Sequence, residues 1–228
     1  AENGCHGVLV SGSGGEFPYI MREERNAMAR NAVEAIGGKI PVMCGLGAMG
    51  TREACRQASE VIKAGAAFVL AALPTYYPVS IGRALEHFRA LADATEGRTL
   101  FYHFPQTTRF DPGVNGVAEI CNLKGIVGAK MSRPNLREIR RTLKRIDDRP
   151  FALFSGTILL MNEVLDKGGA GVIGILPAVF PEESVKWFES LKSGNRPAAK
   201  KASRKVKKAI NILAGFGIPP TLQRVGLW

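Results

Sequence analysis

The feature that most limits the folds open to this chain is a repeat: seven β-type runs alternate with helical segments, mostly about thirty residues from one run to the next. The first run is Gly7-Val8-Leu9-Val10-Ser11, and others follow at 40–45, 67–72, 99–103, 125–130, 151–155 and 170–176. None alternates polar with apolar residues, so each reads as a strand buried on both faces. The intervening segments carry helical stripes. Met28, Ala29, Ala32, Val33 and Ile36 share a face of a helix over 22–36, and Ala54, Ala58, Val61 and Ile62 share one on a helix capped by Thr51. Leu85, Phe88 and Leu91 follow Ser80, a weak helix is expected around 116–121, and Asn135-Leu-Arg-Glu138 forms a capping pattern ahead of Ile139 and Leu143. Leu159, Leu160, Val164 and Leu165 mark the next helix, and Val185, Trp187, Phe188 and Leu191 the one after Pro181. Repeated βα units of this kind specify a parallel sheet.

Two architectures accommodate such a sheet, an open doubly wound layer and a closed barrel. A dinucleotide-binding open sheet shows Gly-x-Gly-x-x-Gly after a strand, yet Gly12-Ser13-Gly14-Gly15-Glu16-Phe17 carries phenylalanine at the third glycine. The nucleotide-binding P-loop pattern fails for want of its lysine. A barrel remains, with seven of its eight strands visible. Glu2-Asn3-Gly4 reads as the tail and C-cap of a helix, so the first βα unit is expected upstream of this chain. The predicted fold is α/β, a TIM (β/α)8 barrel lacking its first βα unit here. Residues 1–193 hold strands 2–8 and residues 194–228 form a C-terminal helical extension.

Composition removes several function classes. With 46% hydrophobic and 22% charged residues the 228-residue chain is globular rather than disordered. No apolar run reaches the ~20 residues of a membrane helix, and the first residues lack signal-peptide character, which places the protein in the cytoplasm. Cys5, Cys44, Cys55 and Cys121 are scattered, and His6, His87 and His103 lack ligand spacing, so free thiols and no metal are expected. The net charge of +11 raises the question of nucleic acid. Much of it is one helical stripe, Lys200, Lys201, Arg204, Lys205 and Lys208, opposite Ala199, Ala202, Val206, Ala209 and Leu213. A basic face on an amphipathic helix without aromatic residues is a solvated surface, which argues against nucleic acid and membrane partners alike.

In a barrel the chemistry stands at the C-terminal ends of the strands. There the sequence places Ser11 to Gly15, Pro74-Thr75-Tyr76-Tyr77-Pro78, Tyr102 to Thr108, Lys130, and Ser155-Gly156-Thr157. The absence of a carboxylate pair excludes two-carboxylate glycosidase chemistry and leaves the lysine amine as nucleophile. Lys130 shares a strand face with Ile126 and Gly128, and Tyr102 shares one with Leu100, so the two are expected to meet in the barrel mouth. An amine must be neutral to attack a ketone. Lowering a lysine pKa from about 10.4 to about 7 takes roughly 4–5 kcal/mol of destabilisation of the charged form, which a dry interior supplies. A tyrosine phenol beside it suits proton transfer, and the bare amides of the glycine turn, with Ser13, suit a carboxylate.

Taken in order, Gly12-Ser-Gly-Gly-Glu16, Pro74-Thr-Tyr-Tyr-Pro78, Tyr102-x-x-Pro105, Gly128-Ala-Lys130 and Ser155-Gly156 resemble the dihydrodipicolinate synthase and N-acetylneuraminate lyase family of pyruvate-dependent class I aldolases. The resemblance implies a TIM barrel, a homotetramer or dimer, and a covalent Schiff base between Lys130 and pyruvate or another 2-keto acid, with no cofactor. It makes Tyr102 the proton relay, brings Tyr76 to a neighbouring subunit's site, and seats the substrate on Ser13, Gly12, the Gly14 amide, Thr107, Ser155 and Ile173. Three positions depart from the family pattern. Gly14 replaces a second hydroxyl of the turn, Met131 follows the lysine where aspartate is common, and Thr107 stands where the synthases carry a carboxylate-gripping arginine. The last departure favours a lyase of 2-keto-3-deoxy sugar acids or an N-acetylneuraminate lyase-like aldolase over a 4-hydroxy-tetrahydrodipicolinate synthase. A truncated barrel serving as a structural or regulatory partner is the further alternative.

Overall fold

The computed structural model describes residues 2–48, 50–73 and 77–214, with side chains to residue 210. Strands β1 (Val8–Val10), β2 (Val42–Leu46), β3 (Phe68–Ala71), β4 (Thr99–His103), β5 (Ile126–Met131), β6 (Ala152–Ser155) and β7 (Gly171–Val172) form one parallel sheet in sequence order. The helices between them are α1 (Arg22–Ile36), α2 (Thr51–Lys63), α3 (Ile81–Ala94), α4 (Pro105–Thr108), α5 (Gly113–Cys121), α6 (Leu136–Leu143) and α7 (Met161–Asp166). After β7 come α8 (Leu176–Val179), α9 (Pro181–Lys192) and α10 (Arg196–Ala214). The sheet curls into a barrel wall of seven staves, and its edges β1 and β7 do not pair with each other.

Burial on both faces explains the continuous apolar runs. Side chains on the outer face, among them Val69, Phe101, Ala129 and Leu153, pack against Ala58, Phe88, Leu91, Ile120 and Ile139 of the helices. Phe88 and Phe101 meet edge to face with centroids 4.8 Å apart, and burying each ring contributes about 2–3 kcal/mol. The inner face is a separate, smaller cluster of Leu70, Leu100 and Tyr102 with Leu9, Met43 and Phe154 against it. The basic helix behaves as its pattern demands. Ala199, Ala202 and Val206 of α10 bury against Trp187 of α9, while Lys205 faces out and pairs with Glu183 at 3.2 Å. The side chain of Leu213 lies outside the described residues. No helix among the described residues is long and apolar enough to cross a membrane.

Several local expectations change. Gly50, not Thr51, is the N-cap of α2, and Thr51 opens the helix with its hydroxyl turned to His87 Nδ1 at 2.9 Å. That cross-helix bond competes successfully with a local cap for the hydroxyl. The capping pattern of α6 is half formed: Asn135 accepts from the Glu138 amide, but the Glu138 carboxylate turns away to His103 and Arg133. The run 170–176 yields strand only at Gly171–Val172, because Leu176-Pro177 turns into α8 and proline cannot extend a ladder. The weak helix expected around 116–121 starts earlier, at Gly113.

Candidate active site

The inner face of β4 and β5 sets the geometry. Parallel pairing places Leu100 beside Gly128 and Tyr102 beside Lys130, with Phe154 of β6 on the other side of the lysine. Gly128 is required under this arrangement, since a Cβ there would lie 2.5 Å from the Ala152 carbonyl. Lys130 is 6% exposed, and its Nζ stands 4.5 Å from the centroid of the Tyr102 ring. Burial lowers the amine to a pKa of about 8. The aromatic face steadies the ammonium only in part, and about a tenth of the amine is neutral at pH 7.

The glycine turn closes over the phenol. Its 3-10 segment Ser13–Gly15 lies between two non-glycine residues with left-handed backbone, Ser11 at φ 46° and Glu16 at φ 52°. Such residues store roughly 1–3 kcal/mol each and persist where the surroundings hold them. Within the turn the Gly15 and Phe17 amides both donate to the Gly12 carbonyl, at 3.0 and 3.2 Å. Ser13 Oγ thereby reaches Tyr102 Oη at 3.1 Å.

A residue without an assigned role in the sequence reading completes the group. Ser132 Oγ donates to Tyr102 Oη at 3.3 Å, giving the phenol a second hydroxyl where Gly14 offers none. The backbone of Ser132 is held by donation from its amide to the His103 carbonyl at 2.9 Å. Gly156 makes the space, because a Cβ there would meet Ser132 Oγ at 2.1 Å. The signal was available in the period-two rule: Ser132 stands two residues beyond Lys130 and continues its face.

The other expected residues are placed less directly. Gly12 and Gly14 are in the turn beside Ser13. Ser155 pairs in register with Met131 rather than Lys130, and its hydroxyl is engaged by the turn after β6, donating to the Thr157 carbonyl at 2.9 Å. Ile173 extends the ladder past β7 through its amide to the Ser155 carbonyl at 3.0 Å and is half-buried. Thr107 lies exposed on α4, and Tyr76 lies outside the described residues.

On the outer face, one residue from Tyr102, a second polar cluster occurs. His103 Nε2 hydrogen-bonds Glu138 Oε1 at 3.2 Å, and Arg133 Nε donates to Glu138 Oε2 at 2.7 Å while its Nη1 donates to Asp111 Oδ2 at 2.6 Å. Burial alone would raise the Glu138 pKa, but the hydrogen bonds from His103 and Arg133 outweigh it and hold the carboxyl at about 2. His103, Asp111 and Glu138 bring potential ligand atoms within 4.8 Å of one another. The Arg133 guanidinium already bonds both carboxylates, so the cluster is an ion-pair network rather than a metal seat.

Comparison with known proteins bears on the family and the fold. The family model of the dihydrodipicolinate synthetase family matches residues 1–225. An uncharacterised DapA-like lyase of Halobacterium salinarum is 31% identical over 86% of this chain, and this chain spans only 64% of that relative's length. A probable mitochondrial 4-hydroxy-2-oxoglutarate aldolase of Emericella nidulans is 32% identical over 95% of this chain and 72% of its own. The crystal structure of dihydrodipicolinate synthase from Thermotoga maritima superposes with a TM-score of 0.89 at 28% identity, covering 96% of this chain and 75% of that one.

Proposed function

Since the chain belongs to the dihydrodipicolinate synthetase family, whose members are lyases, we propose that it is a class I aldolase that forms a Schiff base through Lys130 and splits a 4-hydroxy-2-keto acid into pyruvate and an aldehyde. The observation that carries this reading is the buried Lys130 amine against the Tyr102 ring, with its pKa near 8. The neutral amine adds to the C2 ketone, and the carbinolamine loses water to give a protonated imine. A base removes the proton of the C4 hydroxyl, the C3–C4 bond breaks, and its electron pair moves into the imine to give an enamine and the aldehyde. Protonation of the enamine at C3 and hydrolysis then release pyruvate and restore the amine. Tyr102, hydrogen-bonded to Ser13 and Ser132, is the group positioned to carry these protons. The Gly14 amide, next to amides already used within the turn, is the seat for the substrate carboxylate.

The preferred substrates are 2-keto-3-deoxy sugar acids and shorter 4-hydroxy-2-keto acids, a range supported by the aldolase relative and by Thr107 standing where the synthases carry arginine. A 4-hydroxy-tetrahydrodipicolinate synthase is the second reading, favoured by the structural likeness to the Thermotoga maritima enzyme. Reduction of the protein with borohydride in the presence of pyruvate tests the common step. The expected result is one carboxyethyl adduct on the peptide containing Lys130; a protein left unmodified, or modified elsewhere, overturns the reading. Aldehyde release from 4-hydroxy-2-keto acids, set against condensation of pyruvate with aspartate semialdehyde, separates the two substrate classes.

A further inference from the structure

Behind the glycine turn lies a buried arginine with no carboxylate beside it among the described residues. Arg25 of α1 is 1% exposed, and its surroundings supply burial and the Cys44 thiol but, among the described residues, no carboxylate. Its hydrogen bonds all end on backbone carbonyls: Nη1 donates to Gly45 at 2.5 Å, and Nη2 donates to Phe17 at 2.8 Å and Ile20 at 3.3 Å. Desolvating a guanidinium without a counter-charge is costly, and an apolar side chain would fill the position without that cost. Packing therefore does not account for the residue, whereas its planar fork, which spans two backbone segments at once, does.

Those two segments are the end of β2 and the stretch leading out of the glycine turn. The Gly45 carbonyl that receives Arg25 also receives the Ser11 hydroxyl, at 3.0 Å, and Ser11 is the left-handed residue that begins the turn. The end of β2 is shaped for this contact. A Cβ on Gly45 would lie 2.0 Å from the Ser11 carbonyl oxygen, and one on Gly47 would lie 2.7 Å from Arg25 Nη2 and 2.4 Å from the Phe17 carbonyl oxygen. One carbonyl thus anchors both ends of segment 11–20, through Ser11 at the start and through Arg25 toward Phe17 and Ile20 at the finish.

We propose that Arg25 is a positioning residue that clamps the glycine turn to the end of β2 and thereby keeps Ser13 hydrogen-bonded to Tyr102. It touches neither substrate nor Lys130. Its effect on turnover rests on the aldolase reading, but its effect on the turn does not.

Two measurements on the full chain test the clamp. Amide hydrogen exchange of Arg25→Met should accelerate at least about tenfold in peptides covering 9–21 and 42–48 and stay unchanged across Ile81–His103. Arg25→Lys should recover part of the protection. Ser11→Gly, which tolerates the left-handed backbone but removes the second donor to Gly45, should loosen 9–17 with Arg25 intact, and it serves where Arg25→Met folds poorly. In a double-mutant cycle, Arg25→Met and Ser13→Ala should each lower kcat/KM by about 10- to 100-fold, and the pair should be no more than about threefold worse than the worse single variant. Exchange that accelerates evenly over the whole chain, or losses that multiply, would overturn the clamp. Failure of the parent to form an imine with pyruvate refutes the aldolase reading instead, and the exchange pattern still decides the role of Arg25.

Discussion

Two buried charged groups lie on opposite faces of the same pair of strands and meet opposite fates. Lys130, on the inner face, has an aromatic ring beside it and no carboxylate pairing among the described residues, so burial dominates and its ammonium is disfavoured. Glu138, packed behind the outer face, is bonded by His103 and Arg133, so its charged form is favoured despite burial. Both side chains are buried, and what sets them apart is the partners. Without a counter-charge among the described residues the buried cation is pushed toward its neutral amine, while the paired buried anion stays charged and ties together the loops after β4 and β5 that carry Asp111 and Arg133.

The sharpest way to break this contrast is to keep the inner charge and remove its chemistry. Lys130→Arg should cut pyruvate trapping and turnover by at least about 10³-fold, measured by adduct mass and aldehyde release. In the parent, the second-order rate of imine formation should rise about tenfold per pH unit below 8 and level off above it, since the neutral amine reacts and its pKa is about 8. Tyr102→Phe, which keeps the ring beside the ammonium but removes the hydroxyl shared with Ser13 and Ser132, should lower kcat by about 10²- to 10⁴-fold while imine trapping at Lys130 persists.

Stability experiments separate the faces further. Because the folded pKa of Lys130 lies below its ordinary value of 10.5, the charged lysine destabilises the fold at neutral pH. Lys130→Met should therefore be more stable than the parent by about 3 kcal/mol at pH 7 in denaturant melts, an advantage that shrinks as pH rises from 8 and is gone above about 10.5. Glu138 has the opposite sign. Its folded pKa of about 2 lies below the ordinary 4.5, so its stabilisation is present above pH 4.5 and disappears as pH falls to 2. Glu138→Gln should cost about 2 kcal/mol at pH 7, less than the pKa displacement alone implies because Arg133 is partly solvated, and should flatten the acid limb of the melt profile. A Glu138→Gln variant as stable as the parent would show that the outer cluster braces nothing.

The clearest parts of the fold in the sequence were those where pattern and packing are the same thing. The apolar runs became the strands of the sheet, the stripe of Ala54, Ala58 and Val61 became the buried face of α2, and the basic stripe of α10 stayed in solvent. Lys130 and Tyr102 were legible as a pair because the strand period places both on the inner face. Met28 and Leu159, expected on apolar helical stripes, stay exposed, whereas the polar side chains that were misread or missed had a choice of partner. Thr51 had a cap available and took His87; Glu138 had an N-cap amide available and took His103 and Arg133; Ser132 became significant only because Gly156 leaves it room beside the phenol.

What the sequence alone determined is the parallel βα repeat, the lysine at the end of its buried strand, and the glycine turn that precedes α1, since hydrophobic period and glycine placement act locally along the chain. Which hydroxyls reach Tyr102, that the Arg133 guanidinium occupies the carboxylates beside His103, and that Arg25 reaches the turn from behind emerge once the elements pack. Those contacts join residues tens of positions apart, and long-range hydrogen bonds depend on strand register and on space left by glycine, neither of which a local pattern records.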